Sequence, residues 1–329
     1  MSHDWLLLDT LGEEPFVIAV DAQPKKMIPL RKFLGRNRHL DLINTAIAQT
    51  RATNTAITRH TPSGNRVIYT HPVAMDTGPV HGVHLWFGPT DAAPPVRPRA
   101  GAWVTNLDTG IGNGNADALD IVGADPFNRP EGRTTAEDYH VIQDPHSESE
   151  IFAKMVNAQD GDTFCDTFPG VNHLGEPIQT HFSCRYIVTT NNGVRERICR
   201  AVLISAEQDE PANAAPRPLI LAQQVLVATS EPGTFRALIN LRNLTLLKWL
   251  GEPMTQMHWE YDPDNNPKIH PDDIPTAKAM VKALAEHSTE AQLRLRGRDG
   301  TWLPVHITAN LVLLDQHTTA GLATIRPLT

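Results

Sequence analysis

Three stretches of this chain close in the same way, and that recurrence constrains the fold more than any other feature. In each, a turn glycine is followed by an alternating strand, a short loop and a last apolar strand. The first reads SGNRVIYTHPVAM and then VHGVHLWFG. The second reads LGEPIQTHFSCRYI, the loop TTNNGV and RERICRAVLISA; the third reads RDGTWLPVHITANLVL, the loop DQHTT and AGLATIRPL. Gly64, Gly175 and Gly300 align, and His71, His181 and His306 follow them by six or seven residues. One strand supplies no second ligand at metal spacing, so each histidine is expected on the polar or half-exposed face of a strand whose other face is core.

Residues 88–101 (GPTDAAPPVRPRAG) and 207–218 (EQDEPANAAPRP) are rich in proline, alanine and charge and lack apolar periodicity, so they read as proline-stiffened linkers. They divide the chain into units at 1–90, 100–207 and 218–329, a division that suits 329 residues, too many for one ordinary core. Before each closing strand pair the spacing predicts a helix. Leu40, Ile43, Ala46 and Ile47 recur behind Asn37, Ile151, Phe152, Met155 and Val156 behind Ser147, and Ala277, Met280, Val281 and Leu284 behind Asp273 and Pro275. A short strand pair opens each unit: LLLDTLGEEPFVIAV, AWVTNLDTGIGN, and ILAQQVLVATSEPGTFRALIN, after which residues 241–249 are open to a helical reading. The expected fold is α+β: three tandem units, each an antiparallel sheet of about five strands with flanking short helices.

The side-chain chemistry excludes more than it offers. A net charge of −8 gives no global basic footprint for nucleic acid, and the local run Lys25, Lys26, Arg31, Lys32, Arg36, Arg38 reads as solvated surface. Cys165, Cys184 and Cys199 are odd in number and form no CxxC pair, as expected of reduced thiols in a cytoplasmic protein. The start MSHDWLLLDTLGEE lacks a basic n-region, and the longest apolar stretch, around 219–228, is broken by Gln223 and Gln224, so neither a signal peptide nor a membrane span is expected. The glycines of GIGNGN, residues 110–115, lack the Lys-Ser/Thr of a phosphate loop and the spacing of GxGxxG, and read as a hairpin turn. No GxSxG occurs. His81 and His84, three apart in one strand, should face opposite ways, and His258 or His270 as a haem ligand would be a lone histidine, more simply structural. No catalytic residue, metal or cofactor is expected.

Residues 268–284 and 290–313 resemble the C-terminal half of a PAS domain, in which a His-Pro-Asp-Asp segment opens a helix and an Arg-rich strand leads through Asp-Gly into a tryptophan-containing strand. The matching residues are His270, Pro271, Asp272, Asp273, Arg294, Arg296, Asp299, Gly300 and Trp302. Asp272 or Asp273 suits a helix N-cap, and Asp299 and Gly300 suit the positive φ of a tight turn. The preceding segment LLKWLGEPMTQMHWE resembles the helical part that walls the pocket in such domains. The middle unit resembles a more diverged PAS domain through Trp103, Asp108, Thr109, Gly110, Glu137, Asp138, Pro145 and Gly175, without a His-Pro-Asp-Asp; the first unit is equally GAF-like or PAS-like. None of the three cysteines has the Asn-Cys-Arg context of a flavin-adduct photosensor. The whole chain resembles the triple sensor-domain proteins of mycobacteria and related actinobacteria.

That resemblance implies a cytoplasmic signalling protein without an effector domain. It would bind a small apolar or amphipathic ligand or a signalling protein, with Trp249, Met254, Met257, Trp259 and Leu295 lining a pocket, although ordinary core packing accounts for them equally well. The alternative is an interaction scaffold with filled pockets, docking other proteins or a second copy of itself. An enzyme ranks last, because no nucleophile, base and orienter assemble from nearby positions.

Overall fold

The threefold pattern becomes three antiparallel sheets in a computed structural model of the protein, which describes residues 4–129, 131–140, 145–191, 193–206, 231–266 and 268–328. The first repeat runs β1 (Leu6–Asp9), β2 (Phe16–Val20), β3 (Gln23–Pro29), α1 (Leu30–Leu34), α2 (Leu40–Thr53), β4 (Ile57–His60), β5 (Arg66–Ala74) and β6 (Val80–Pro89). The second runs β7 (Ala100–Asn106), β8 (Ile111–Gly114), α3 (Ala116–Ile121), β9 (Arg133–Thr134), α4 (Thr135–His140), α5 (Pro145–Asn157), β10 (Thr163–Val171), β11 (Pro177–Asn191) and β12 (Val194–Ser205). The third runs β13 (Phe235–Asn240), β14 (Thr245–Trp249), α6 (Ile274–Ala283), β15 (Thr289–Arg296), β16 (Trp302–Leu313) and β17 (Thr319–Pro327). The orders are β3-β2-β1-β6-β5-β4, β9-β8-β7-β12-β11-β10 and β14-β13-β17-β16-β15. In all three the opening strand lies beside the closing strand, so the repeat in sequence is a repeat in topology. The first two sheets have six strands and the third has five.

By packing, the described residues form two compact units. One takes Met1–Thr105, Asn113–Arg129 and Gln159–Ala212; the other takes Asn106–Gly112, Pro130–Ala158 and Asn213–Thr329. In the first, Ile43, Ala46 and Ile47 of α2 are buried with Leu30, Ile68 and Leu85, the apolar face that the 3–4 spacing predicts. Gly101 in β7 admits α3: a Cβ there would lie 2.3 Å from Ala118 Cα and 2.4 Å from its nitrogen. Ile151, Phe152, Met155 and Val156 of α5, in the second unit, are buried as their spacing predicts.

Several expectations are corrected. Residues 245–249 form β14, not a helix, because a tight turn in which Leu244 N–H donates to Asn240 O returns the chain onto β13. Short apolar runs do not distinguish strand from helix by period. Likewise residues 250–260 form turns and isolated bridges instead of a helix. In GIGNGN only Gly110, at φ 71°, belongs to the turn; residues 111–114 are β8, where a Cβ on Gly114 would meet the Trp103 ring at 2.4 Å. The strands β11 and β12 consume most of the expected TTNNGV loop. His71 and His306 are half-buried, but His181 is 1% exposed, its Nδ1 2.8 Å from Thr167 Oγ1 and its Nε2 3.6 Å from Cys165 Sγ. The expected linker at 207–218 and strand at 219–228 lie outside the described residues.

Asp9 is fully buried in the first unit, where its carboxylate accepts from Leu11 N–H and Ser183 Oγ, each at 2.9 Å. Desolvation raises its pKa despite these bonds and the charge of Arg185. A carboxyl whose folded pKa exceeds its unfolded value binds protons more tightly when folded, so it costs stability as pH rises through that interval and above it. Asp9→Asn, which keeps the shape, should therefore raise the denaturation midpoint at neutral pH and lose that advantage below about pH 4. A variant less stable at pH 7 would show that ionised Asp9 contributes favourably instead.

Candidate ligand-binding cavity

The sheet of the third repeat presents Leu293, Leu295, Val305, Ile307, Ala309, Ala323 and Ile325 to one side by strand alternation. Helix α6 faces them with Ala277 and Met280. They do not close completely. Between them is a cavity of about 290 Å3, its wall overwhelmingly apolar.

The irregular segment 250–273 covers one side by hydrogen-bonding to the free edge of β15. His258 N–H donates to Arg296 O, Arg296 N–H to Lys268 O and His270 N–H to Arg294 O, at 2.8–2.9 Å. This pairing carries Met257, Trp259 and Ile269 into the wall. Lys268 also lines the cavity, and its Nζ donates to Glu260 O at 2.8 Å. Partial burial lowers its pKa, opposed by Asp262 and Glu260. Thr109, Gly110, Ile111 and Thr134 complete another side. Thr134 is fixed by a capping box at the start of α4: its Oγ1 accepts from Glu137 N–H at 3.2 Å, and Glu137 Oε2 accepts from Thr134 N–H at 2.7 Å. The same carboxylate oxygen accepts from Tyr261 N–H at 2.8 Å.

Of the five residues singled out for a pocket, Trp249, Met257, Trp259 and Leu295 stand in the wall. Met254, 0% exposed, is packed in the core cluster and is not a wall residue. The motif residues hold the frame. Asp273 does not cap α6 with its side chain; its carboxylate accepts from Arg294 N–H, Nε and Nη2 at 2.7–2.9 Å, which lowers its pKa. A forked charged contact outcompetes one backbone donor. The turn 271–273 is capped instead by His270 Nδ1, which accepts from Asp272 N–H at 3.2 Å. Of Asp299 and Gly300 only the glycine has positive φ, 79°; Asp299 accepts from Thr301 N–H and Oγ1. Trp302 has His270 in edge contact, 4.6 Å between ring centroids, and the Arg296 guanidinium over its ring at 3.8 Å.

Sequence reasoning missed Ile274, Lys268 and the 109–111 and 134 contributions to the wall. The helix face that carries Ala277 and Met280 was visible, but nothing local marks a residue that reaches a cavity from over a hundred positions away. The polar cluster around Cys165 and His181 offers no reactive thiol, since burial pushes the Cys165 pKa up to about 12. Among the described residues no three histidine, cysteine or acidic side chains gather as metal ligands, and no helix is long and apolar enough to cross a membrane.

Three topologically equivalent α+β domains, the last bounding an apolar cavity, define a tandem-domain protein. Its three parts match the models described as Rv3651-like, N-terminal (residues 4–96), Rv3651-like, middle domain (99–206) and Rv3651-like, C-terminal domain (219–329). The chain belongs to the Rv3651-like family. It is 36% identical to a Mycobacterium tuberculosis protein of known crystal structure, covering 100% of this chain and 97% of that one with a TM-score of 0.88. The mycobacterial three-domain family implied by the sequence is therefore the right one. Weaker likenesses include a sensory box histidine kinase/response regulator from Burkholderia thailandensis E264, with 18% identity, 33% and 77% coverage of this chain and that one, and a TM-score of 0.25. Another is an RNA-binding light-oxygen-voltage receptor, with 11% identity, 70% and 96% coverage and a TM-score of 0.26. At such scores neither adds to the reading. No curated protein matches the chain.

Proposed function

We propose that this protein is a cytoplasmic sensor with no catalysis of its own, and that it binds a small apolar or amphipathic molecule in the cavity of its second unit. The observation that carries this reading is the cavity itself. It is a partly open apolar recess of about 290 Å3 that the surrounding side chains leave unfilled, which gives an apolar molecule a place to bury its surface. Its size approaches the lower end of ordinary ligand pockets, with an aromatic and aliphatic wall and a few polar groups that would set orientation. Occupancy would act by favouring the arrangement of α6 and of segment 250–273 that closes on the ligand, and a protein partner would read that population.

Native mass spectrometry of the purified chain tests this directly. A discrete mass excess, lost on denaturation, is the expected result. Bare protein that also fails to take up an added apolar probe such as 2-ethylnaphthalene would sink the reading and favour a scaffold.

A further inference from the structure

Residues 22–40 hold six lysines and arginines and no acidic residue, in a chain whose net charge is −8. They run along β3, an edge strand of the first sheet, through the short helix α1 and into the turn before α2. Leu30 and Leu34, four apart in α1, pack into the core with Ile43 and Leu85. The residues between them in the turn therefore point away from that core, and Arg31, Lys32 and Phe33 are all exposed.

The charges are largely uncompensated. Lys26, Arg31, Lys32, Arg36 and Arg38 are exposed. Arg31 pairs with Glu14 at 2.9 Å, and Arg38 Nε donates to His39 Nε2 at 3.0 Å. Among the described residues Lys25, Lys26, Lys32 and Arg36 have no ion-pair partner. Neighbours in so short a segment lie within about one Debye length of each other, about 10 Å, so their fields add.

Phe33 is a separate observation. It is 38% exposed and takes no part in the core that holds Leu30 and Leu34. A lone exposed ring is ordinary on a protein surface. One set among unpaired cations on an outward helical turn matches the chemistry of a membrane interface, where headgroup phosphates overlie an apolar layer.

We infer that this face docks on an anionic lipid surface, with Lys26, Lys32 and Arg36 against the headgroups and the Phe33 ring at the boundary with the acyl chains. Nucleic acid would answer the charge alone; a bilayer answers the charge and the ring together. Docking here needs no ligand in the cavity.

The full-length chain is sedimented with vesicles of phosphatidylcholine alone and of phosphatidylcholine with phosphatidylglycerol, two to one, at low salt and at about 0.5 M salt. Binding is expected to the anionic vesicles only, and to be lost at high salt. The double variant Lys32→Glu, Arg36→Glu should weaken it at least about tenfold, since each cation near such a surface contributes about fivefold. Lys278→Glu with Lys282→Glu makes the same change of net charge at exposed positions of α6 and should weaken it less than about threefold. Phe33→Ser should weaken vesicle binding about threefold or more and leave retention by heparin, a soluble polyanion, unchanged. Phe33→Leu should restore most of the vesicle binding, which separates loss of the apolar anchor from loss of the fold. No sedimentation with anionic vesicles, or equal losses in the two double variants, would overturn the docking face. Vesicle binding indifferent to Phe33→Ser, or tighter binding to duplex DNA than to vesicles, would overturn the lipid assignment in favour of a general polyanion site.

Discussion

Ala309→Phe should weaken binding of 2-ethylnaphthalene at least about tenfold, equivalent to about 1.4 kcal/mol. Ala309 is 8% exposed, on the inward face of β16 and in the cavity wall. A benzyl group added there enters the space a ligand would use. Had the core been full, the same change would overpack it and cost about 1–3 kcal/mol of stability. Because about 290 Å3 is open, the melting midpoint should stay close to that of the parent or rise. Leu311→Phe is the control, on the same strand but 44% exposed, and should affect neither quantity. If Ala309→Phe melted far lower while binding was unchanged, the cavity would not be where the probe goes.

Gly101→Val should destabilise the first unit by about 3 kcal/mol or more, as backbone displacement in a packed interior does. The absent Cβ is what lets β7 and α3 touch main chain to main chain, and a contact of 2.3 Å with Ala118 Cα cannot be relieved by rotating a side chain. The whole helix would have to shift. With two compact units a single melting curve need not be two-state, so hydrogen exchange at α3 and β7 amides is the better readout. Gly101→Ala should show the same sign. Unchanged protection in both variants would mean that the helix lies farther from the strand.

These two positions also show where the sequence was informative. The inward face of β16, with Val305, Ile307 and Ala309, follows from alternation, and the buried face of α6 from residues three and four apart, because each periodicity is local and repeated. The threefold closing pattern likewise anticipated three antiparallel sheets, while their common strand order came only with the structure. The cavity itself was less legible. Trp249, Met254, Met257 and Trp259 have the chemistry of a pocket and of a core alike, and what separates Met254 from the others is a segment whose course is set by hydrogen bonds to the β15 edge, not by any period of its own. Asp273 failed as a cap for a similar reason. Its sequence neighbours offer one backbone donor, whereas Arg294, distant in sequence, offers a fork. His181 was misplaced because alternation gives the face of a strand, not what later packs upon it.

The origin of the cavity wall bears on how far the third repeat is transferable. By strand order it is a self-contained cassette, and residues 218–329 would be the natural piece to excise or graft. Thr109, Gly110, Ile111 and Thr134 would stay behind. So would Glu137, whose carboxylate ties Thr134 to Tyr261. Such a graft would move a sheet and a helix intact but carry an open-sided container. The inherited unit of structure and the working unit of binding are thus cut along different lines in this chain.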